Sequence, residues 1–274
     1  MTRLVPVACA IVVGASLSAC GGGGAPFQSF ADDTSDTFIA KVSDGGVSGR
    51  AALQDTSAGG TRTLPFRVEL SSDFQTATVT LGSTVYVLPA SPGGSGAANG
   101  GSYSDGDVTV EFIIPPIIAD TYSTNAVTFL NSATGEFGQV VAGAETRPEN
   151  LPSGSASYGG AWQIGEFNTV GGFSGVESGS IAASVSFDAP NSQVSVDFRD
   201  GASALVGNLI ATIDGNGFSG TLAYDDTTLS GDLAVTATFF GPAAEQLAGT
   251  LDGSLSNGGS DTDVVGTLFG DQIP

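Results

Sequence analysis

The chain reads as an all-β protein, an eight-stranded antiparallel up-and-down barrel preceded by a second β-rich domain. Three observations carry this reading. Apolar residues recur with a period of two through most of the second half. The links between those alternating segments are short. Val, Thr, Ser, Phe and Gly dominate over Lys and Glu, with 41 glycines and one methionine among 274 residues, which favours strands and turns over helices. Sixteen phenylalanines and a mildly positive mean hydropathy argue against disorder.

The barrel elements follow in order over residues 151–274. In "SASYGGAW" Ala156, Tyr158, Gly160 and Trp162 share a face. "SQVSVDFRD" sets Val194, Val196 and Phe198 against Ser195, Asp197 and Arg199. "DLAVTATFF" aligns Leu233, Val235, Ala237 and Phe239, and "QLAGTLDGSL" aligns Leu247, Leu251 and Leu255 with Gly249 and Gly253 between them. Such alternation marks half-buried antiparallel strands. The predicted strands are 155–162, 181–188, 193–199, 208–214, 218–224, 229–240, 246–256 and 263–270. "DGNG" at 214–217 signals a tight hairpin, because Asn-Gly readily takes positive φ. Eight sequential strands with short links suit a closed barrel, which has no open edge. A two-sheet sandwich is the rival, and its crossovers would need longer loops. Glycines on the inward face are expected where a small barrel has no room for a second large side chain.

Residues 31–150 form the preceding domain, with candidate strands in "TRTLPFRVEL", "TATVTLGSTVYVL", "GDVTVEFII" and "NAVTFLN". Its topology is left open. "PASPGGSGAANGGS" is a low-complexity loop, and "AGAETRPENLPSG" divides the two domains with two prolines among polar residues.

The N-terminus is "MTRLVPVACAIVVGASLSAC". Arg3 gives a basic start, residues 4–17 are an apolar run too short for a spanning helix, and Leu17-Ser18-Ala19 precede Cys20. This resembles a bacterial lipoprotein signal, in which residues 1–19 are removed and Cys20 becomes the lipidated N-terminus. An ordinary secretory signal with a chance cysteine is the alternative. Cys9 leaves with the signal, so no disulfide is expected. Gly21, where an Asp would favour inner-membrane retention in such lipoproteins, points to the outer membrane. Residues 20–30 then form a Gly-rich tether spanning at most about 35 Å.

Removal of the signal takes Arg3 and leaves six basic against 28 acidic residues, a net charge of −22. Nucleic acid is an unsuitable partner for such a surface. An anionic lipid surface would repel the body, which suits a domain held outward on its tether.

One segment breaks the strand pattern. "FFGPAAEQLAGTLDG" carries a helical word at 243–247 between two strands, with Pro242 at its first position. It resembles the Gly-Pro-x-Ala-x-Glu region in the barrel domains of the transferrin-binding protein B-like surface lipoproteins, where a short helical turn closes a hairpin. "ETRPENLPSGSASYGGAW" resembles that family's first barrel strand, and "DTDVVGTLFGDQ" its closing strand, one residue longer between Gly266 and Phe269. The resemblance runs over 143–270. It implies a single-lobe member, with the preceding domain as a handle. It further implies a lipid-anchored outer-membrane or cell-surface protein that binds an extracellular protein or a haem or iron carrier. A structural or envelope-maintenance lipoprotein facing the periplasm, without a soluble ligand, is the alternative.

Catalysis is not expected. The chain has no histidine, which excludes Ser-His-Asp and Cys-His mechanisms and histidine-ligated metal or haem. No thiolate remains after lipidation. The acidic runs at Asp32, Asp33 and Asp36 and at Asp261 and Asp263 match no calcium loop, and read as solvated charge. Asp225 and Asp226 read as turn residues. The five tyrosines are expected to pack rather than ligate haem, so no metal or cofactor is expected. The candidate ligand-binding residues lie in the long link 163–179, "QIGEFNTVGGFSGVESG", namely Phe167, Val170, Phe173 and Val176. Exposed apolar residues on such a loop can engage a partner; alternatively they fold back over the barrel mouth.

Overall fold

The computed structural model describes residues 46–91, 101–112, 124–168, 172–188 and 190–273. The fold is all-β. The first sheet contains β1 (Val47–Asp55), β2 (Thr61–Leu70), β3 (Thr76–Leu81), β4 (Thr84–Pro89), β5 (Ser102–Ser104), β6 (Val108–Phe112), β7 (Thr124–Asn131) and β8 (Glu136–Gly143). Their order is β4-β3-β2-β1-β8-β7-β6-β5. The sheet curls until its edges meet at one bridge between Ala90 and Tyr103, where the Ser91 N–H also donates to the Ser102 carbonyl at 2.9 Å. Phe66, Val68, Val79, Phe112 and Phe129 fill its interior. Tyr103 is buried there, and its hydroxyl donates to the Phe74 carbonyl at 3.2 Å.

The second sheet is a closed barrel of β9 (Ser155–Asn168), β10 (Gly172–Ser186), β11 (Gln193–Asp200), β12 (Leu205–Asp214), β13 (Gly217–Asp225), β14 (Ser230–Phe240), β15 (Gln246–Ser256) and β16 (Asp261–Ile273). All neighbours are antiparallel and sequential, and β16 returns to pair with β9. The wall is thinnest between β12 and β13, which exchange only the pairs Ile213↔Phe218 and Asp214↔Gly217. The alternating residues read from the sequence do face inward: Tyr158, Trp162, Val194, Val196, Phe198, Leu233, Val235, Leu247, Leu251 and Leu255 belong to one core. Burial of large apolar and aromatic side chains at about 25 cal/mol per Å² is the main stabilising contribution.

Two sequence expectations are corrected. The segment 163–179 is not a long link. β9 runs on to Asn168 and β10 begins at Gly172, so Phe167 pairs with Phe173 in a projecting hairpin. The helical word at 243–247 is not helical either. Residues 241–244 form a turn, Ala244 takes a positive φ of 62°, and Gln246 already opens β15. A positive φ ends any right-handed helix. Among the described residues the helical element is a 3-10 turn at Pro148–Asn150, in the segment joining the two sheets.

The inward glycines have two causes, one of them the expected one: a Cβ on Gly220, in register with Phe218 and Leu222, would meet the Leu209 side chain. A Cβ on Gly160 would strike the backbone oxygen of Phe269, and one on Gly249 the backbone oxygen of Thr236. At these two positions the neighbouring main chain occupies the space.

The two sheets pack flush. The outward face of β15 and β16 meets β1, β2 and β8, with Ala52, Phe137 and Val265 in one apolar cluster and Val141, Phe240 and Ala248 in another. The Thr63 hydroxyl donates to Asp252 at 2.6 Å across this seam. Both faces of β15 are therefore buried over most of its length.

Candidate functional site

The barrel has two unlike ends. At the proximal end the 241–245 turn and the segment after β8 form a plug. Ala244 is fully buried, and the Tyr158 hydroxyl donates to its carbonyl at 2.6 Å. Burial pushes the Tyr158 hydroxyl well up from its ordinary pKa, and the Glu245 charge adds to this. Thr146 donates through Oγ to the Gly241 carbonyl at 2.6 Å, and Asn216 donates to the Thr146 carbonyl at 2.8 Å. Phe239 lies beneath, with ring centroids 5.1 Å from Phe187 and 5.8 Å from Tyr158. This end is sealed.

Among the described residues the distal end is open. Trp162 forms its floor, edge-on to Tyr224 at 5.8 Å and to Phe198 at 6.2 Å, with its indole N–H donating to the Arg199 carbonyl at 3.0 Å. Above the floor lies a cavity of about 220 Å³ in the mouth, and a cavity of about 450 Å³ lies at the other end, beside the plug, lined by Val47, Ala144, Thr146, Arg147 and Gly241. The mouth cavity is walled by Ile164, Leu229, Leu255 and Val264, with Glu166 and Glu177 at its rim. Glu166 continues the inward register of Tyr158, Trp162 and Ile164, and Glu177 that of Ile181 and Ala183. Carboxylates thus stand where the core pattern would put apolar side chains.

Two aspartates occupy the same end. Asp200 accepts from the N–H groups of Ala202 and Ala204 at 2.9 and 2.8 Å. Asp226 accepts from the Leu229 N–H at 2.7 Å and from the Tyr224 hydroxyl at 3.1 Å. Partial burial pushes the Asp226 carboxyl up, but the Leu229 and Thr228 hydrogen bonds outweigh it and hold it below the ordinary carboxylate range. Tyr224 is pushed the other way, first by burial and then by the charges of Asp226, Glu177 and Asp200.

Of the residues singled out from the sequence, Phe167 and Phe173 lie opposite each other in the hairpin and Val176 pairs with Gly165 beside a bulge. Their side chains, all of Val170, and Cys20 lie outside the described residues. The hairpin leaves the wall just above the mouth: β16 pairs with β9 only as far as Gly165, and β11 pairs with β10 only as far as Gly179. The sequence reading missed Glu166 and Glu177 because it ended the strands at 162 and 181; the period-two register carried through 163–179 would have placed both on the inward face. Among the described residues no group of three or more His, Cys, Asp or Glu could hold a metal ion.

Residues 151–272 match the family described as the C-lobe and N-lobe beta barrels of Tf-binding protein B. The barrel belongs to this family. Solved transferrin-binding protein B structures share the wider fold. One from Haemophilus parasuis superposes with a TM-score of 0.52 at 15% identity, covering 82% of this chain and 45% of its own. One from Neisseria meningitidis gives 0.51 at 13%, covering 83% and 44%. The haemoglobin receptor HpuA of Kingella denitrificans gives 0.43 at 12%, covering 82% and 87%. The chain thus spans less than half the length of the transferrin-binding protein B structures it matches. No curated protein matches it in sequence.

Proposed function

We propose that the chain is a lipid-anchored outer-membrane or cell-surface binding protein. It presents the distal end of its barrel, the β9–β10 hairpin and the mouth beneath it, to an extracellular protein that carries iron or haem. One observation carries this reading. A barrel of the transferrin-binding protein B family has one end plugged and one wall covered by the first sheet, and among the described residues the other end is open and crowned by a projecting hairpin. In the plugged end and the covered wall, buried polar groups and aromatics serve packing. At the open end the core pattern is broken by charge, as binding surfaces on rigid scaffolds commonly are.

The mechanism is recognition without bond chemistry. The barrel anchors the hairpin at its base, where Gly165 pairs with both Val176 and Val265. Lipidation at Cys20 and the tether of residues 20–30 hold the body close to the membrane. Phe167, Val170, Phe173 and Val176 supply apolar contact, and the acidic mouth supplies orientation. The first sheet, in the handle position, buttresses the barrel from behind.

Transferrin and haemoglobin are the probes to use, since they are what the named relatives bind. Cells displaying the lipidated chain should retain at least one of them. The double variant F167A/F173A should lower retention about tenfold or more, as loss of two aromatic anchors does, with an unchanged melting temperature. Retention of neither protein, or retention indifferent to the double variant, would overturn this assignment.

A further inference from the structure

We propose that the Asn257–Gly258 pair, in the β15–β16 turn beside the mouth, is a site of spontaneous covalent modification, where the side-chain amide is converted to a carboxylate in the folded protein. Its consequence for binding rests on the reading of the distal end as the recognition surface; the chemistry itself does not.

The reaction is one that makes asparagine thermolabile. The main-chain nitrogen of Gly258 attacks Asn257 Cγ. A new N–Cγ bond forms, the Cγ–Nδ2 bond breaks, and Nδ2 leaves as ammonia with the proton that the Gly258 N–H gives up. Water then opens the cyclic imide at either of its carbonyls. Opening at Cγ gives aspartate, and opening at the main-chain carbonyl gives isoaspartate, whose chain is longer by one carbon. Neither step uses an oxidant, a metal or an enzyme. The attack needs a following residue without a side chain, a side-chain amide free to turn, and a main-chain nitrogen not committed to a hydrogen bond.

The turn at 257–260 supplies all of these. Asn257, Gly258, Gly259 and Ser260 are exposed, and the space around both glycines is open. Gly258 has a φ of 60° and Gly259 one of 144°, conformations that glycine adopts without steric cost. The turn is closed by one main-chain bond, from the Asn257 N–H to the Ser260 carbonyl at 3.0 Å. That leaves the Asn257 side chain and the Gly258 N–H without a hydrogen bond among the described residues.

The same dipeptide at Asn216–Gly217 is held shut. Asn216 Nδ2 donates to the Thr146 carbonyl at 2.8 Å and to the Glu145 carboxylate at 3.2 Å. The Asn216 carbonyl accepts from the Phe239 N–H at 2.9 Å. Gly217 is buried and paired with both Asp214 and Thr238. Side chain and nitrogen are both fixed, so reaction there must wait for the plug to open. The pair Asn99–Gly100 lies outside the described residues.

Asn257 lines the mouth cavity with Leu229, Leu255, Thr262 and Val264. Conversion therefore sets a new carboxylate on that cavity, at the end that already carries Asp200 and Asp226. Isoaspartate also lengthens the main chain between Ser256 and Asp261, the last pair of the β15–β16 ladder. Ageing thus alters the charge and outline of the mouth and spares the plug.

The test incubates the purified full chain in warm, mildly alkaline buffer and maps its chymotryptic peptides by mass spectrometry. Asn257 should gain the mass of an NH2-to-OH exchange first, as a mixture of aspartate and isoaspartate. Asn216 should react about tenfold or more slowly, because its hydrogen bonds must break before attack. In urea that unfolds the chain the two rates should converge. Equal rates in the folded chain, faster reaction at Asn216, or an Asn257 that reacts only in urea would overturn the proposal. The retention assay tests the consequence. Aged wild-type chain should retain less transferrin or haemoglobin than fresh chain, and aged N257S as much as fresh N257S. Modification without loss of retention, or an equal loss in aged N257S, refutes the effect on the mouth. Retention of neither protein by fresh chain, with Asn257 modified as expected, refutes the partner assignment alone.

Discussion

At the residue scale, a few side chains decide whether the barrel closes and stays closed. Tyr158 joins the plug to the core through its 2.6 Å bond to the Ala244 carbonyl. Tyr158→Phe leaves that buried carbonyl unpaired and should cost about 1–3 kcal/mol, read from the urea midpoint at pH 7. The same hydroxyl sets an alkaline limit. Its folded pKa is raised above the unfolded value, so its contribution is complete below about pH 10 and is lost as pH rises further. Y158F should flatten the alkaline decline in stability. Asp226 works in the opposite sense. Its folded pKa is lowered, so its contribution is present above about pH 4 and is lost as pH falls through the folded value. Asp226→Asn should therefore destabilise at pH 7, by an amount that shrinks as pH falls through the lowered folded value. Gly160 is fixed by close approach, and Gly160→Ala must move the Phe269 backbone or open the β9–β16 seam. Gly201→Ala, at a turn with open space around it, should be neutral within about 0.5 kcal/mol.

At the scale of elements, legibility in the sequence mostly followed the number of buried faces, with β15 the exception: both its faces are buried, yet the Leu247, Leu251 and Leu255 spacing gave its bounds. The barrel strands with one face to solvent alternate cleanly and are found almost to the residue, as in β11, β13 and β14. β1 and β8 were not read as strands, because both their faces are largely buried, one in the first sheet and one against β15 and β16, and alternation disappears. The hairpin arms of β9 and β10 escaped for another reason. Their glycines and carboxylates resemble loop composition, and only the register inherited from Trp162 and Ile181 shows them to be strand. The turn at 241–245 shows the limit of local propensity. Ala-Ala-Glu-Gln favours helix, yet the five-residue span between β14 and β15 must reverse the chain while burying Ala244, and a positive φ does this where a helical turn would not. Of the candidate site, the hairpin was legible as a segment and the acidic mouth was not.

At the scale of the whole molecule, the two sheets act as one body through a seam that is apolar with polar insertions. Thr250 Oγ1 and Gln139 Oε1 are buried there without a hydrogen-bond partner among the described residues. Thr250→Val should then leave stability unchanged or raise it by about 1 kcal/mol, measured by thermal melting of the full chain. A loss of that size would show that the hydroxyl has a partner in solution. The seam matters because it commits one wall of the barrel, as the plug commits one end, and the proposed recognition surface is the end farthest from the plug. The most direct measurement of that arrangement is labelling of Thr227→Cys, in the exposed β13–β14 loop beside the mouth, with a membrane-impermeant maleimide on intact cells, with lysed cells as reference. A surface-displayed binder with its distal end outward is labelled to the same extent before and after lysis. Labelling that appears only on lysis would place the mouth in the periplasm and contradict display, leaving an envelope-facing lipoprotein in its place.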